Sequence, residues 1–112
     1  MDRLVEELDL YFSGKLKTFS VPLDPAAGTV FQRLVWDELT RIPYGETRTY
    51  GEIAEAVGIR RGARAVGLAN RSNWIPIVIP CHRVIRANGS LGGYASGTDI
   101  KRRLLELEGV KL

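Results

Sequence analysis

The chain has 112 residues, of which 45% are hydrophobic and 26% are charged, a balance typical of one globular domain. No apolar run approaches the roughly 20 residues of a membrane span, and the acidic amphipathic start does not resemble a signal peptide. The single cysteine excludes an internal disulfide, so we expect a reducing compartment: the cytoplasm, or the nucleus in a eukaryote.

The formal net charge of +3 is unevenly distributed along the chain. Residues 56–98 contain six arginines and no Asp or Glu, whereas the rest of the chain is net acidic. The planar guanidinium of arginine suits phosphate groups and base edges. The segment therefore indicates a surface that binds a polyanion, with an ordinary solvated basic face as the alternative.

The first 28 residues predict a helix followed by a linker. Apolar residues recur at helical spacing from Leu4 to Phe12, and Gly14 is a suitable helix end. Residues 15–28 contain two prolines and no helical period, which predicts an extended linker that wraps a domain. We therefore divide the single globular unit into residues 1–28 and a functional domain over residues 29–112.

Thr29 and Thr49 each begin a capping box, since the residue three positions later is Gln or Glu. The first box predicts a helix that Pro43 ends, and the second predicts a short helix before Gly58. A further helix over residues 62–70 would complete a helix-turn-helix. The expected apolar stripe of the first of these helices consists of Phe31, Leu34, Val35 and Leu39.

The predicted helix over residues 62–70 is rich in Ala and Gly, and Arg64 is its one long polar side chain near the start. Small residues allow a helix to pack tightly on its neighbours. They also allow a helix to lie close against a nucleic-acid groove, with the arginine projecting. Both interpretations remain open from the pattern alone.

The second half of the chain predicts short strands and one more helix. The stretch "WIPIVIP", residues 74–80, indicates a strand at an edge or irregular position, because its prolines limit pairing. The segments "HRVIR" and "SLGGY" flank Asn88–Gly89, a strong hairpin signal. A last helix covers residues 98–108, and its expected inward side chains are Ile100, Leu104 and Leu107. These elements predict an α+β, winged-helix-like fold whose small β hairpin carries the active-site region.

The only cysteine, Cys81, precedes the only histidine, His82. The simplest interpretation is a buried thiol beside a structural histidine. Zinc is disfavoured, because only carboxylates remain as further ligands and none is near in sequence. Nucleophilic catalysis would need His82 to take the thiol proton. Strand neighbours point to opposite faces, so either the chain turns after Pro80 or a water bridges the pair. Glu106 or Glu108 would then orient the imidazole.

The stretch "PIVIPCHRVI" resembles the active-site signature of the O6-alkylguanine-DNA alkyltransferase family. In order and spacing, "FQRLVWDELTRIPYGETRTYGEIA", "ARAVGLANRSN", "GSLGGY" and "KRRLLELEG" resemble that family's C-terminal domain, from about Leu8 onward. The resemblance implies a DNA repair protein that flips O6-alkylguanine out of duplex DNA and transfers the alkyl group irreversibly to Cys81. It implies a single turnover by a monomer, without cofactor or metal.

The resemblance also implies a role for each site residue. Cys81 would be the alkyl acceptor, His82 its water-mediated base and Glu108 the carboxylate behind the histidine. Tyr50 would help to rotate the nucleotide and contact the purine, and Asn73 would shape the active-site turn. The expected DNA contacts, in a helix-turn-helix placed in the minor groove, are Tyr50, Ala63, Arg64, Gly67, Asn70 and Arg71, with Arg64 filling the gap left by the base. The expected pocket residues are Trp74, Val84, Tyr94, Ala95 and Ser96.

The sequence departs from the family pattern at several places. Trp74 stands where proline is common, and Ala95-Ser96 follow the pocket tyrosine where glycines are common, so Ser96 would narrow the tolerance for bulky adducts. Family members usually carry an additional N-terminal domain, whose absence we expect to affect stability more than chemistry.

Three other functions stay open on the sequence alone. Alkyltransferase-like proteins bind lesions and recruit other repair without transfer, but they replace the acceptor cysteine, which is present here as Cys81. A winged-helix regulator would need a polar recognition helix for the major groove. A cysteine hydrolase would have no reason for the arginine-rich segment.

Overall fold

The computed structural model describes residues 2–21, 28–59, 61–94 and 97–111. Within these ranges, no helix is both long and apolar enough to cross a membrane. The elements, in chain order, are α1 (Asp2–Phe12), α2 (Val30–Thr40), β1 (Arg48–Thr49), α3 (Tyr50–Ala56), α4 (Ala63–Arg71), a 3-10 helix (Cys81–Arg83), β2 (Val84–Ile85) and α5 (Thr98–Leu107). The predicted α+β class is confirmed. The division at residue 28 stays a prediction, because residues 22–27 lie outside the described ranges.

Both predicted capping boxes are present and set the starts of α2 and α3. The Thr29 hydroxyl accepts from the Gln32 amide at 3.1 Å, and the Thr29 amide donates to the Gln32 side chain at 2.9 Å. Thr49 and Glu52 form the same reciprocal pair at 3.1 and 2.8 Å. Each box satisfies backbone donors that a helix start leaves unpaired, which is why the local pattern predicts these starts.

Helices α2, α3 and α4 pack around one core together with the segment that leads into β2. The buried members of this core are Val35, Trp36, Leu39, Ile42, Ile53, Ala54, Val66, Ala69, Ile79, Cys81 and Val84. The Trp36 indole N–H donates to the Ala69 carbonyl at 2.9 Å and so connects α2 to α4. At the start of α4, a Cβ on Gly62 would lie 2.6 Å from Ile59 Cγ2, so this close approach requires glycine.

The helix faces that pack inward differ partly from the predicted stripes. Leu34, Ile100 and Leu107 are exposed, whereas Val35, Leu39 and Leu104 are buried as predicted. The face of α5 that packs on the domain includes Lys101, whose ammonium group has carbonyl partners inside. In α1, Tyr11 is buried but Val5 and Phe12 are exposed. The sequence pattern shows that a helix has an apolar face, but it does not show which edge of that face meets a neighbour.

Residues 74–80 do not form the predicted strand. Their backbone bends through an isolated bridge between Pro76 and Ile79, and Ile77 has a φ of +76°. The Asn88–Gly89 turn is present, closed by a hydrogen bond from the Arg86 amide to the Ser90 carbonyl at 2.9 Å. No antiparallel ladder follows this turn in the part of the chain described. Instead, Val84–Ile85 pairs in parallel with Arg48–Thr49, a segment distant in sequence.

Trp36 provides a test of the contact between α2 and α4. Trp36→Phe removes the indole donor and leaves a gap in the core, so we expect the free energy of unfolding to fall by about 1–3 kcal/mol. Trp74 is 44% exposed, and Trp74→Phe should change that free energy by less than about 0.5 kcal/mol. Urea unfolding followed by circular dichroism measures both. Equal losses in the two variants would contradict the assignment.

Candidate active site and nucleic-acid face

A cavity of about 510 Å³ opens beside Cys81. Its walls come from the start of α3, one face of α4 and the loops on either side of β2. Among the described residues that line it, none is acidic. The lining includes these residues predicted from the sequence: Tyr50, Ala63, Arg64, Gly67, Asn70, Arg71, Asn73, Cys81 and Tyr94.

Two of the predicted pocket residues that the structure describes, Trp74 and Val84, do not line the cavity. Val84 is fully buried, because its side chain is part of the hydrophobic core. Trp74 is exposed outside the cavity. Ala95 and Ser96 lie outside the described residues. Of the three predicted pocket residues that the structure describes, Tyr94 lines the cavity.

Asn73 shapes the turn that carries Cys81. Its side-chain Nδ2 donates to the Ile79 carbonyl at 2.8 Å, and its Oδ1 accepts from the Ile75 amide at 3.0 Å. These two bonds bracket Ile77, whose positive φ is uncommon for a β-branched residue. The chain then enters the 3-10 turn at Cys81, so Cys81 and His82 are not strand neighbours. The turn after Pro80 is therefore present, and a bridging water stays a prediction.

His82 is completely buried, and its Nε2 lies 2.7 Å from Oε2 of Glu108. Glu106, the alternative carboxylate, is exposed and is not the partner. Burial acts to raise the pKa of Glu108, but hydrogen bonds from His82 and Arg83 outweigh it and hold that pKa at about 2. An ionised carboxylate can only accept, so the hydrogen between the two groups belongs to Nε2 of His82.

The tautomer of His82 follows from this contact. Burial lowers the pKa of His82 in spite of the nearby Glu108 carboxylate, so the imidazole is neutral near pH 7. With its one hydrogen on Nε2, the ring has an unprotonated Nδ1. That atom is buried and has no hydrogen-bond partner among the described residues. His82 is therefore poised to accept a proton at Nδ1.

Arg83 and Tyr11 complete the surroundings of Glu108, and sequence reasoning missed both. The charge pattern predicts Arg83 on the basic surface, but its side chain is buried, and its Nε and Nη2 donate to Glu108 at 2.8 and 3.0 Å. Its Nη1 donates to the Ile42 carbonyl at 2.7 Å. The Tyr11 hydroxyl donates to Oε2 of Glu108 at 2.5 Å. No sequence signal marks these contacts, because their partners come from distant segments.

The surroundings of Cys81 disfavour a resting thiolate. Burial raises the pKa of the thiol, and hydrogen bonding by Asn73 and Tyr94 opposes this only in part. The Lys101 charge also favours the thiolate. Its ammonium group donates to the carbonyls of Val84 at 2.5 Å and Gly93 at 3.3 Å. Burial lowers the pKa of Lys101 to about 8, and sequence reasoning missed this residue too. The thiol therefore needs a base in order to react.

Tyr50 lines the cavity from the first turn of α3. Gly92, at a φ of +74°, lies so close that a Cβ there would stand 2.8 Å from the Tyr50 hydroxyl. Gly67 approaches the other part of the ring, where a Cβ would lie 3.9 Å away. Burial raises the pKa of Tyr50, so the hydroxyl keeps its proton and can donate a hydrogen bond.

The outer face of α4 combines small and basic residues. Ala63, Arg64 and Arg71 are exposed at the cavity, with Gly67 between them. Asn70, predicted as a DNA contact, is instead buried and donates to the Cys81 carbonyl at 3.2 Å. The carbonyl of the neighbouring Ala69 accepts from the Trp36 indole N–H, so this edge of α4 faces the core. A cationic rim around a thiol cavity is suited to a polyanionic ligand.

No group of three His, Cys, Asp or Glu side chains that could hold a metal ion occurs among the residues described. The candidate metal ligands near Cys81 already bind each other within the protein. Glu108 accepts hydrogen bonds from Tyr11, His82 and Arg83.

Comparison with known proteins gives one family. The model described as "6-O-methylguanine DNA methyltransferase, DNA binding domain" matches residues 30–110. A methylated-DNA–protein-cysteine methyltransferase of Methanosarcina acetivorans is 62% identical over 103 residues, which are 92% of this chain and 65% of that protein. The chain thus spans less than two thirds of the length of this curated relative.

Two solved structures are similar over most of the chain. Mycobacterium tuberculosis OGT in complex with DNA superposes with a TM-score of 0.92 at 57% identity, covering 95% of this chain and 64% of that one. S. pombe Atl1 in complex with damaged DNA containing O6-carboxymethylguanine superposes with a TM-score of 0.66 at 38% identity. That match covers 72% of this chain and 77% of Atl1.

The acid dependence of stability tests the Glu108 cluster. The pKa of Glu108 lies at about 2 in the folded protein, below the ordinary 4.5. Ionised Glu108 therefore stabilises the fold above about pH 4.5, and this contribution is lost as the pH falls toward 2. Its size is on the order of 3 kcal/mol, since each tenfold change in a protonation constant is worth about 1.4 kcal/mol. Urea unfolding at a series of pH values measures it.

Two glutamate variants distinguish the contribution of Glu108 to acid-dependent stability from that of the other carboxylates. Glu108→Gln should lose about 3–5 kcal/mol at neutral pH, because Arg83 is left buried without a counter-ion. Its stability should then depend less on pH below 4.5. The exposed Glu106→Gln should keep the wild-type acid dependence. An unchanged acid dependence in Glu108→Gln would refute the assignment.

Proposed function

We propose a DNA-repair function from one premise: this chain belongs to the 6-O-methylguanine DNA methyltransferase family. It transfers an alkyl group from O6 of guanine in duplex DNA to its own Cys81, irreversibly and once per molecule. One observation carries the proposal: the only thiol, that of Cys81, lines a cavity with an arginine rim, and Cys81 lies in the same 3-10 turn as the neutral His82. The protein acts as a monomer without cofactor, in the cytoplasm, or in the nucleus of a eukaryote.

The reaction begins with removal of the thiol proton. His82 takes it at Nδ1 through a bridging water, and Glu108 stabilises the imidazolium that forms. The thiolate then attacks the alkyl carbon in line with the bond to O6. The sulfur–carbon bond forms as the carbon–oxygen bond breaks, and the electron pair passes into the purine. The Tyr50 hydroxyl donates a hydrogen bond to N3 of the purine as negative charge develops there.

The DNA must present the base outside the helix, because a carbon on O6 cannot be reached within a stacked duplex. A cavity of about 510 Å³ is of the size that usually holds a small ligand. The small residues of α4 let the helix lie close in the minor groove, and Arg64 enters the stack where the base has left. Tyr94 and Asn73 keep the thiol in place beneath the flipped base.

A second candidate function is lesion sensing without transfer. The similarity to Atl1, which was solved with O6-carboxymethylguanine DNA, favours it. Cys81 on the cavity favours transfer, because a sensor does not need a nucleophile there. The two functions differ in one measurable outcome, which is a covalent gain of mass on the protein.

Intact mass after mixing with a duplex that contains O6-methylguanine tests the proposal directly. We expect a gain of one methyl group on the Cys81 peptide that stops at one per protein molecule. Cys81→Ser should gain no mass while it still binds the lesion duplex, because the cavity and the basic rim are intact. Wild-type protein that binds the lesion without gaining mass would favour the sensor. Methyl transfer by Cys81→Ser would exclude Cys81 as the acceptor.

Arg64→Ala tests the DNA-facing role of α4. We expect transfer from duplex DNA to slow by about tenfold or more, since an unfilled stack disfavours the flipped state by a few kcal/mol. Transfer from the free base O6-methylguanine should change by less than about twofold, because no stack has to be filled. Arg103→Ala, an exposed arginine of α5 outside the cavity, is the matched control. Equal losses on duplex and free base would contradict the role.

A further inference from the structure

Glu108 has more donors than a carboxylate needs. Oε2 accepts from the Tyr11 hydroxyl, His82 Nε2 and Arg83 Nη2 at 2.5, 2.7 and 3.0 Å. Oε1 accepts from Arg83 Nε at 2.8 Å and the Gly45 amide at 3.2 Å. A carboxylate offers about four lone-pair sites, so five donors compete for them. Tyr11 and His82 compete for the same oxygen.

Tyr11 is fixed in this position by the rest of α1 and the segment after it. Its side chain has no exposed surface, and its ring packs against Phe12, Phe19 and Tyr44. The Glu7 carboxylate accepts from the amide of Ser20 at 3.0 Å and from that of Val21 at 3.1 Å. These bonds tie the following segment back onto the helix. Tyr11 also precedes the matched range that begins at residue 30.

We propose that Tyr11 is a positioning residue for alkyl transfer, which acts through the Glu108 carboxylate and limits how strongly that carboxylate can stabilise a protonated imidazole. The inference rests on the proposed function, because it concerns the base of that reaction. By donating a short hydrogen bond to Oε2, Tyr11 withdraws negative charge from the oxygen that His82 faces. The amino-terminal helix thereby helps to keep the base unprotonated at neutral pH.

The other charged groups near His82 also influence its protonation. Arg83, the next residue, and Lys101 of α5 both disfavour a protonated His82, and Glu108 favours it. Tyr44 packs beside Tyr11, but its hydroxyl donates to the Leu107 carbonyl at 3.3 Å. Tyr11 is thus the one hydroxyl in this cluster that donates to the carboxylate, as far as the described residues extend.

The test is the titration of His82 by NMR, which is unambiguous because the chain has a single histidine. In Tyr11→Phe the ring packing is retained and one donor is lost, so the carboxylate should stabilise the imidazolium more strongly. We expect His82 to titrate about 0.5 to 1 pH unit higher than in the wild type. The acid limb of the alkyl-transfer rate should move by the same amount, with the rate at high pH changed by less than about twofold.

Tyr44→Phe is the matched control. It removes a tyrosine hydroxyl from the ring that packs edge-on against Tyr11, with centroids 6.2 Å apart, but it leaves the donors to Glu108 unchanged. The His82 titration should stay at its wild-type position. An equal movement in both variants, or no movement in Tyr11→Phe, would overturn the proposal and leave Tyr11 with a packing role only.

A second measurement uses the wild-type protein and does not depend on the variant folding. A hydroxyl proton in so short a bond to a carboxylate should give a downfield NMR resonance that exchanges slowly and shows contacts to the Tyr11 ring. Its absence would overturn the proposal. If the wild type transferred no alkyl group while His82 still moved in Tyr11→Phe, the proposed function would fail and the positioning contact would stand.

Discussion

The buried carboxylate of Glu108 is the interaction on which the rest of the site depends. It accepts hydrogen bonds from α1, from the loop before β1 and from two residues of the 3-10 helix. Burying a carboxylate costs several kcal/mol unless its charge is paired and its lone pairs are filled. Arg83 supplies the charge and the other donors fill the remaining sites. The same contacts fix the hydrogen of His82 on Nε2, so fold stability and the proposed proton transfer depend on one group.

Burial favours the uncharged forms of both Cys81 and His82. Burial keeps Cys81 protonated at rest and keeps His82 neutral, because both charged forms are disfavoured in the interior. In the proposed reaction, proton transfer from Cys81 to His82 would create an ion pair, in which Lys101 favours the thiolate and Glu108 favours the imidazolium. That reaction would therefore depend on charges built into the fold, which an isolated Cys-His dipeptide would lack.

The sequence predicts the parts of this structure that depend on local chemistry. The threonine capping boxes and the Asn88–Gly89 turn lie where predicted, because their hydrogen bonds form within a few residues. The parallel pairing of β2 with β1 could not be predicted from either strand, since each has only two residues. The same holds for the site. The local motif predicts Cys81 and His82 as site residues, but no local pattern predicts that Tyr11 contacts Glu108.

Charged residues were the hardest to place from the sequence. Lys and Arg are rarely buried, so a prediction assigns them to the surface unless a partner is known. Arg83 lies inside because Glu108 and the Ile42 carbonyl meet it there. Lys101 lies inside because the carbonyls of Val84 and Gly93 converge on its ammonium group. These partners are assembled only by the tertiary fold, and so charge patterning along the chain cannot identify them.

Helix α4 connects the two sides of the site and limits how it can work. Its outer face presents Arg64 and Arg71, while on its inner edge Asn70 donates to the carbonyl of Cys81 itself. Just beyond the helix, Asn73 clamps the turn that leads to the thiol. Through these bonds the basic face and the nucleophile belong to one packed unit. A bound duplex would therefore meet a thiol at a fixed depth below α4, and in the proposed reaction the nucleotide, rather than the protein, would have to move for the reacting atoms to meet.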